Sequence, residues 1–436
     1  MSKISVFWFR RDLRHEDNFG LFQALKSGFP VLPLFIFDTD ILSQLPDKAD
    51  KRVDLIQQML VTLDAKLRNF GSSLTVEVGK PMEVFSKLTE KYEIAAVYTN
   101  RDYESYSRKR DTEVSDFLQS KNIKFCSFKD QVIFEFDEVL KADGKPYTVF
   151  TPYANTWKKL IHNNLLKPFE SELLHKNYLQ YSSNGVPDLE KIGFRKTGIV
   201  FSEPLPDIEI IRNYENTRNF PALVNGTTHL SVHLRFGSIS IRKLIGIAVK
   251  ENEIWLNELI WREFFMSILV HFPHVENSSF RREYDRIQWR NNEQEFRLWC
   301  EGKTGYPIVD AGMHELNETG LMHNRVRMIV ASFLTKHLLI DWRWGEAYFA
   351  SKLLDYDLSA NNGNWQWAAG CGCDAAPYFR VFNPTEQTKK FDPELKYIRR
   401  WVNDVDELNY PQPMVEHKFA RERALNVYKE GINRVQ

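Results

Sequence analysis

The chain opens with a regular exchange between two hydrophobic periods. Short apolar runs at residues 4–9, 31–37, 74–78, 95–99 and 124–128 read as buried strands, and the segments 17–26, 50–70, 81–91 and 105–121 carry helical spacing. Gly28 and Gly71 stand where glycines end helices. This alternation predicts an α/β domain over residues 1–130, built on a doubly wound, Rossmann-like parallel sheet. No G-x-G-x-x-G follows the first strand, so that dinucleotide-binding device is absent. Between 131 and 206 the period is lost. Pro146, Pro152, Pro168, Pro187, Pro204 and Pro206, with Ser182-Ser183-Asn184-Gly185, predict an interdomain linker. From 207 to 436 helical patterns dominate and predict an all-α domain.

Two of the later helices carry misplaced polarity. Residues 254–270, IWLNELIWREFFMSILV, are apolar almost all round and predict a buried helix. Glu258 and Arg262 sit inside it at i, i+4. Buried charge is costly unless paired or used, so they are either an internal ion pair or part of a site. In 321–337, LMHNRVRMIVASFLTKH, Asn324, Arg327 and Met328 share one face. His323 points away from it, neighbours on a helix lying ~100° apart. Residue by residue, Asn324 reads as a helix cap and Arg327 as a snorkelling side chain.

The densest chemistry lies at 355–382, DYDLSANNGNWQWAAGCGCDAAPYFRVF. Asp and Asn are turn formers and Trp usually fills a core. Carboxylates, amides and indoles crowded into so short a stretch suit a large aromatic ligand with a polar edge. Gly226-Thr227-Thr228-His229-Leu230-Ser231 is a hydroxyl-rich run opening a helix, a cap signal that also suits phosphate.

Composition narrows the class. A chain of 436 residues suits two domains. Four cysteines are too few and too scattered for a disulfide framework. Cys371-Gly-Cys373 lacks a second Cys/His pair for a metal and reads as buried thiols. No apolar run approaches the ~20 residues of a membrane span, and no signal pattern opens the chain. The expectation is a reduced, cytoplasmic monomer without metal or membrane. Formal net charge is zero, so any nucleic-acid site must be a local patch.

The stretch 355–382 resembles the FAD-binding signature of the DNA photolyase/cryptochrome family. The likeness runs from Phe7-Trp8-Phe9-Arg10-Arg11-Asp12-Leu13-Arg14 to Tyr410-Pro411-Gln412-Pro413 and is densest over 255–382. It implies an N-terminal α/β domain, a helical FAD domain, and light-driven repair of cyclobutane pyrimidine dimers in DNA, an enzyme of the lyase class. It also implies roles for single residues. Thr227, Thr228, His229, Leu230 and Ser231 match the FAD pyrophosphate segment, preceded by Tyr214, with Arg218 and Pro221 downstream. One residue is inserted before Thr227, and His229 stands where many relatives carry Arg or Lys. Arg327 matches a residue paired with Asp355 across the isoalloxazine. Asp357 matches a contact to the flavin edge, Asn361 the residue beside N5, and Arg262 one beside the flavin.

Trp255 and Glu258 match positions that contact the flipped-out lesion, with Trp261 at the DNA-facing rim. Trp367 matches the indole that stacks on the lesion, and Arg325 and Arg380 match phosphate contacts at the cavity rim. Trp365, Trp342 and Trp289 match an electron-hopping chain to the surface. Asn324 and Met328 face the lesion in the dimer photolyases. The sister (6-4) photolyases carry histidine at both positions, and neither Asn nor Met is a general acid. A cryptochrome photoreceptor is the rival of another class, disfavoured by Asn361 and by the short segment after Pro413. A redox flavoprotein that never meets DNA is a third reading, disfavoured by Arg325, Arg380 and Trp367. Relatives use folate, deazaflavin or FMN as a second, antenna chromophore; Asp38, Lys51 and Glu104 do not select among them. The segment from Val402 to Asn409, ahead of Tyr410, is shorter than in relatives.

Overall fold

The computed structural model describes residues 3–434. Five strands form one parallel sheet: β1 (Ile4–Phe9), β2 (Val31–Asp38), β3 (Thr75–Gly79), β4 (Ile94–Asn100) and β5 (Lys124–Phe128). Their order is β3-β2-β1-β4-β5, so the chain reverses its winding direction between β1 and β4. Register pairs Val6 with Leu32 on one side of β1 and with Val97 on the other. Every residue of β1 and β2 is buried, as near-continuous apolar runs in a covered parallel sheet require. Gly28 and Gly71 take left-handed φ values of 84° and 77° just past the helices they follow, where a Cβ would be strained.

The chain divides into two compact units, and the division differs from the expected one. The α/β unit holds the residues up to Glu135, Leu160–Pro206 and Leu230–Val249. The helical unit holds Phe136–Lys159, Asp207–His229 and the remainder from Lys250. The stretch 131–206 is therefore not a spacer. Its helix Phe150–Leu160 belongs as far as Lys159 to the helical unit: Phe150 stacks on Trp261 at 3.7 Å, and the Trp157 indole donates to the buried Glu263 carboxylate at 2.6 Å. Residues 230–249 join the α/β unit through charge. The buried Arg242 guanidinium donates to Asp17 Oδ1 (2.8 Å) and Asp130 Oδ1 (2.7 Å), and Arg14 shares Asp130. Buried ions hold together when paired, and both guanidinium groups meet a carboxylate here, with the Nε of Arg14 left without a hydrogen-bond partner.

In the helical unit the longest helix, Glu253–His271, starts on Asn252, whose side chain accepts from the Ile254 and Trp255 backbone N–H groups. The core gathers around Trp299, Trp342, Trp365 and Phe333, each almost fully buried. The expected helix 321–337 is Asn324–Ser332, continued by one π-type turn at Phe333–His337. His323, not Asn324, caps it: its Nδ1 accepts from the Arg325 backbone N–H at 3.1 Å.

The four cysteines are free thiols; Cys371 is buried and the others are half-buried. Among the described residues no cluster of His, Cys, Asp or Glu could hold a metal, and no helix is long and apolar enough to cross a membrane.

Candidate functional site

The helix Leu358–Ala369 organises the site. Asp357 caps it, accepting from the Ala360 backbone N–H at 3.2 Å, and the Ser359 hydroxyl donates to the same carboxylate. The cap turns Asn361, Trp365 and Ala368 of the helix toward one open cavity with about 90 Å³ of internal space. Asn324, Arg327 and Met328 line it from the helix Asn324–Ser332, as their shared face required. Asp355, Asp357 and Trp367 complete the set of expected residues in the wall.

Inside this wall Arg327 grips Asp355 with one nitrogen, Nη2 lying 3.1 and 2.9 Å from the two carboxylate oxygens. Its Nε donates to the Met322 carbonyl oxygen at 2.8 Å, which fixes the guanidinium plane. Asn361 is held from behind by Glu346, a residue that sequence reading missed. The Asn361 amide donates to the Glu346 backbone carbonyl (3.1 Å) and to its carboxylate (2.8 Å). Burial raises the Glu346 carboxyl above the usual carboxylate range, and the Asn361 hydrogen bond opposes the shift.

A second group stands around Glu258. The alternative of an internal Glu258–Arg262 pair gives way to Arg218, whose Nη1 lies 2.6 Å from Glu258 Oε1. The Arg218 guanidinium also covers the Tyr214 ring at 5.2 Å. Burial raises the Glu258 carboxyl, and Arg218 pulls it back. Trp255 is buried on the same helix, and Trp261 is stacked under Phe150.

Arg325 lies over the Phe391 ring at 4.3 Å and donates to Asn219 at 2.6 Å. Burial, then the like charges of Arg218 and Arg380, hold it below the usual arginine range. Three guanidinium groups close enough to repel are a patch that an anion relieves. The neutral total charge thus conceals a local positive one. His323, beside this patch, is held to about 4 by burial and by Arg325 and Arg327.

The remaining expected residues are more scattered. Thr227, Thr228 and His229 lie in the helical unit, and Leu230 and Ser231 in the α/β unit at the start of the short helix Ser231–Phe236. The His229 ring is tied to the Val224 carbonyl oxygen at 2.8 Å. Trp342 and Trp365 are core residues, and Trp289 is half-buried with its ring edge-on to Tyr428 at 5.7 Å. Trp365 also meets an indole that was not expected: Trp299 stands edge-on at 6.2 Å.

Models of two parts of one family match this chain. The DNA photolyase model covers residues 5–172, and the FAD binding domain of DNA photolyase covers residues 255–409. The chain belongs to the DNA photolyase family. Photolyase relatives match over nearly full length. The deoxyribodipyrimidine photo-lyase of Vibrio cholerae is 37% identical, with 97% of this chain and 99% of that protein covered. The enzyme of the same name from Escherichia coli is 37% identical, over 97% of this chain and 98% of its own. Among solved photolyases, the class III enzyme of Agrobacterium tumefaciens superposes with a TM-score of 0.87 at 31% identity, covering 99% and 98% of the two chains. The archaeal photolyase of Sulfolobus tokodaii, solved with two FAD molecules, gives 0.85 at 36%, covering 98% and 99%.

Proposed function

We propose that this photolyase-family chain is a light-driven lyase that splits cyclobutane pyrimidine dimers in DNA. The observation that carries the reading is the composition of the cavity wall. Arg327 and Asp355 are paired on one part of it, Asn361 and Trp365 line another, and Asn324, Met328 and Trp367 supply a face with no acid or base. The donor set suits FAD: carboxylates and amides line the wall for the polar edge of the ring system. Bound FAD supplies the electron chemistry when excited by blue light.

The chain's own residues position and exclude. Arg327 and Asp355 hold each other in place in the wall. Asn324 and Met328 offer the lesion shape and weak polarity but no proton, which suits ring opening without acid catalysis. Trp367 presents an indole for stacking. Glu258, held by Arg218, offers a carboxyl for a base N–H. Arg325 and Arg380 form the patch for DNA phosphates, with Arg218 held beside it by Glu258, and Thr227 and Thr228 are assigned to the pyrophosphate. Extruding a damaged, poorly stacked dinucleotide is the least costly way to bring it to such a wall; photolyases are a standing example of base flipping. The free thiols support a reducing, cytoplasmic setting, and single-chain action is part of the same reading. A second chromophore for light harvesting (folate, deazaflavin or FMN) belongs to it as well.

The test is repair of defined oligonucleotides under blue light, one set carrying a cyclobutane dimer and the other a (6-4) product. Repair confined to the cyclobutane set is expected. Efficient repair of the (6-4) set would falsify the assignment of Asn324 and Met328.

A further inference from the structure

The contact between Asn361 and Glu346 determines which way round the amide lies. The Asn361 amide meets two groups of Glu346, the backbone carbonyl at 3.1 Å and the side-chain Oε1 at 2.8 Å. A carbonyl oxygen only accepts, whatever the ionisation of the side chain beside it. An amide turned the other way would set its own oxygen against that carbonyl, two acceptors facing each other in a buried site. The orientation is therefore dictated by the hydrogen-bond partners. Both contacts use Nδ2, so Oδ1 is the polar atom of Asn361 that remains for a ligand in the cavity that this residue lines.

We propose that Glu346 is the positioning residue that fixes Asn361 as a hydrogen-bond acceptor toward the bound cofactor. This rests on the reading that the cavity binds FAD. An amide free to turn could donate to an unprotonated ring nitrogen as readily as it accepts from a protonated one. Glu346 removes that freedom. A ring nitrogen held against that oxygen would be favoured when it carries a hydrogen, which would bias bound FAD toward its reduced, N–H-bearing forms. Glu346 acts through Asn361, from the helix Trp342–Lys352 packed against Leu358–Ala369. Burial keeps water from substituting for its oxygens, and the side-chain oxygen gives the shorter of the two contacts, so it holds the amide more firmly than the backbone carbonyl does alone.

The experiment compares Glu346→Met and Glu346→Gln, with the fold checked by circular dichroism. FAD affinity and the midpoint potential of bound FAD are read by titration and spectroelectrochemistry. Gln keeps an accepting side-chain oxygen and loses the charge; Met loses both and leaves the amide only the longer contact, to the backbone carbonyl. Glu346→Met is expected to bind FAD and to lower the reduced-to-oxidised ratio about tenfold, which is about 59 mV for a one-electron step. Glu346→Gln is expected to stay at the wild-type potential. A wild-type potential in Glu346→Met overturns the proposal, and so does an equal shift in Met and Gln, which would make charge the cause. If Glu346→Met does not fold, Asn361→Asp takes its place. There a carboxylate oxygen faces the Glu346 oxygens, and adding Glu346→Gln gives it a donor. Recovery of the potential in the double variant, with none needed in Glu346→Gln alone, supports the proposal; no recovery overturns it. Failure of the wild-type chain to bind FAD at all would instead remove the underlying reading.

Discussion

Gly345 lies flat against Trp365. A Cβ on Gly345 would fall 2.2 Å from Cη2 of that indole and 2.6 Å from Cδ2 of Leu334. The absent side chain is what lets Trp365 sit between the helices Trp342–Lys352 and Leu358–Ala369 at the edge of the cavity. Ordinarily Gly→Ala inside a helix adds about 1 kcal/mol of stability. Here overpacking should win, at ~1–3 kcal/mol of destabilisation. Gly345→Ala should therefore lower the unfolding midpoint in denaturant and shift the tryptophan emission. An Ala variant as stable as wild type would mean that Trp365 has room to move.

Trp365 itself is the test of the relay. Phe preserves most of its shape but is much harder to oxidise. Trp365→Phe should abolish photoreduction of bound FAD by an external thiol, at ~1 kcal/mol in stability. Repair by chemically pre-reduced protein should survive, because that electron starts on the cofactor and returns there. A merely structural Trp would damage both together. Photoreduction at the wild-type rate would send the electron elsewhere, and Trp299, 6.2 Å from Trp365, makes it necessary to measure Trp299→Phe alongside.

Glu258 and Arg218 form an ion pair of 2.6 Å at the second part of the site. Glu258→Ala should leave FAD bound, since Arg327 and Asp355 are untouched, and should lower the quantum yield of dimer repair severalfold. It also releases Arg218. Affinity for undamaged DNA should then rise, and the dependence of log K on log salt should steepen by up to ~0.9, one more phosphate contact. Loss of FAD from the variant would instead make Glu258 a support of the cofactor wall.

The parts of this fold that could be read from sequence are those set by local period and local motif. The five strands fall within a residue or two of the expected runs, because a covered parallel sheet demands unbroken apolar segments. Asp355 and Arg327 were legible as a pair because the resemblance supplied the partner across 28 positions. What could not be read depends on partners far apart in the chain. Glu346 stands in the helix Trp342–Lys352, where one carboxylate looks like any other surface charge, and only the packing of a second helix brings Asn361 against it. Arg218 lies 40 positions before Glu258, and nothing in either segment announces the other. Helix Phe150–Leu160 sits among prolines that suggest a linker, yet Phe150 and Trp157 anchor it to the helix Glu253–His271. The signal that was available there was the pair of large aromatics at helical spacing.

Lys336 provides a pH test of the helical core. It is 1% exposed; its Nζ donates to the Ala369 carbonyl oxygen at 2.8 Å and lies 3.7 Å above the Tyr428 ring. Burial lowers it to about 7, with only Cys371 pulling the other way. In the unfolded chain the amine titrates near its ordinary value of 10.5. Between these two values the unfolded state holds a proton that the folded state has released, so stability rises with pH across that window. Below about 7 both states are protonated, and the full cost of the buried charge is felt. Lys336→Met should remove this dependence. Wild type should gain on the variant by about 1.4 kcal/mol per pH unit from about pH 7 to pH 10, read from denaturant unfolding of both proteins at several pH values. The Met variant should be the more stable protein at the acid end. Parallel stability curves would show that Lys336 keeps its charge inside the fold, with the Ala369 carbonyl and the Tyr428 ring sufficient to hold it.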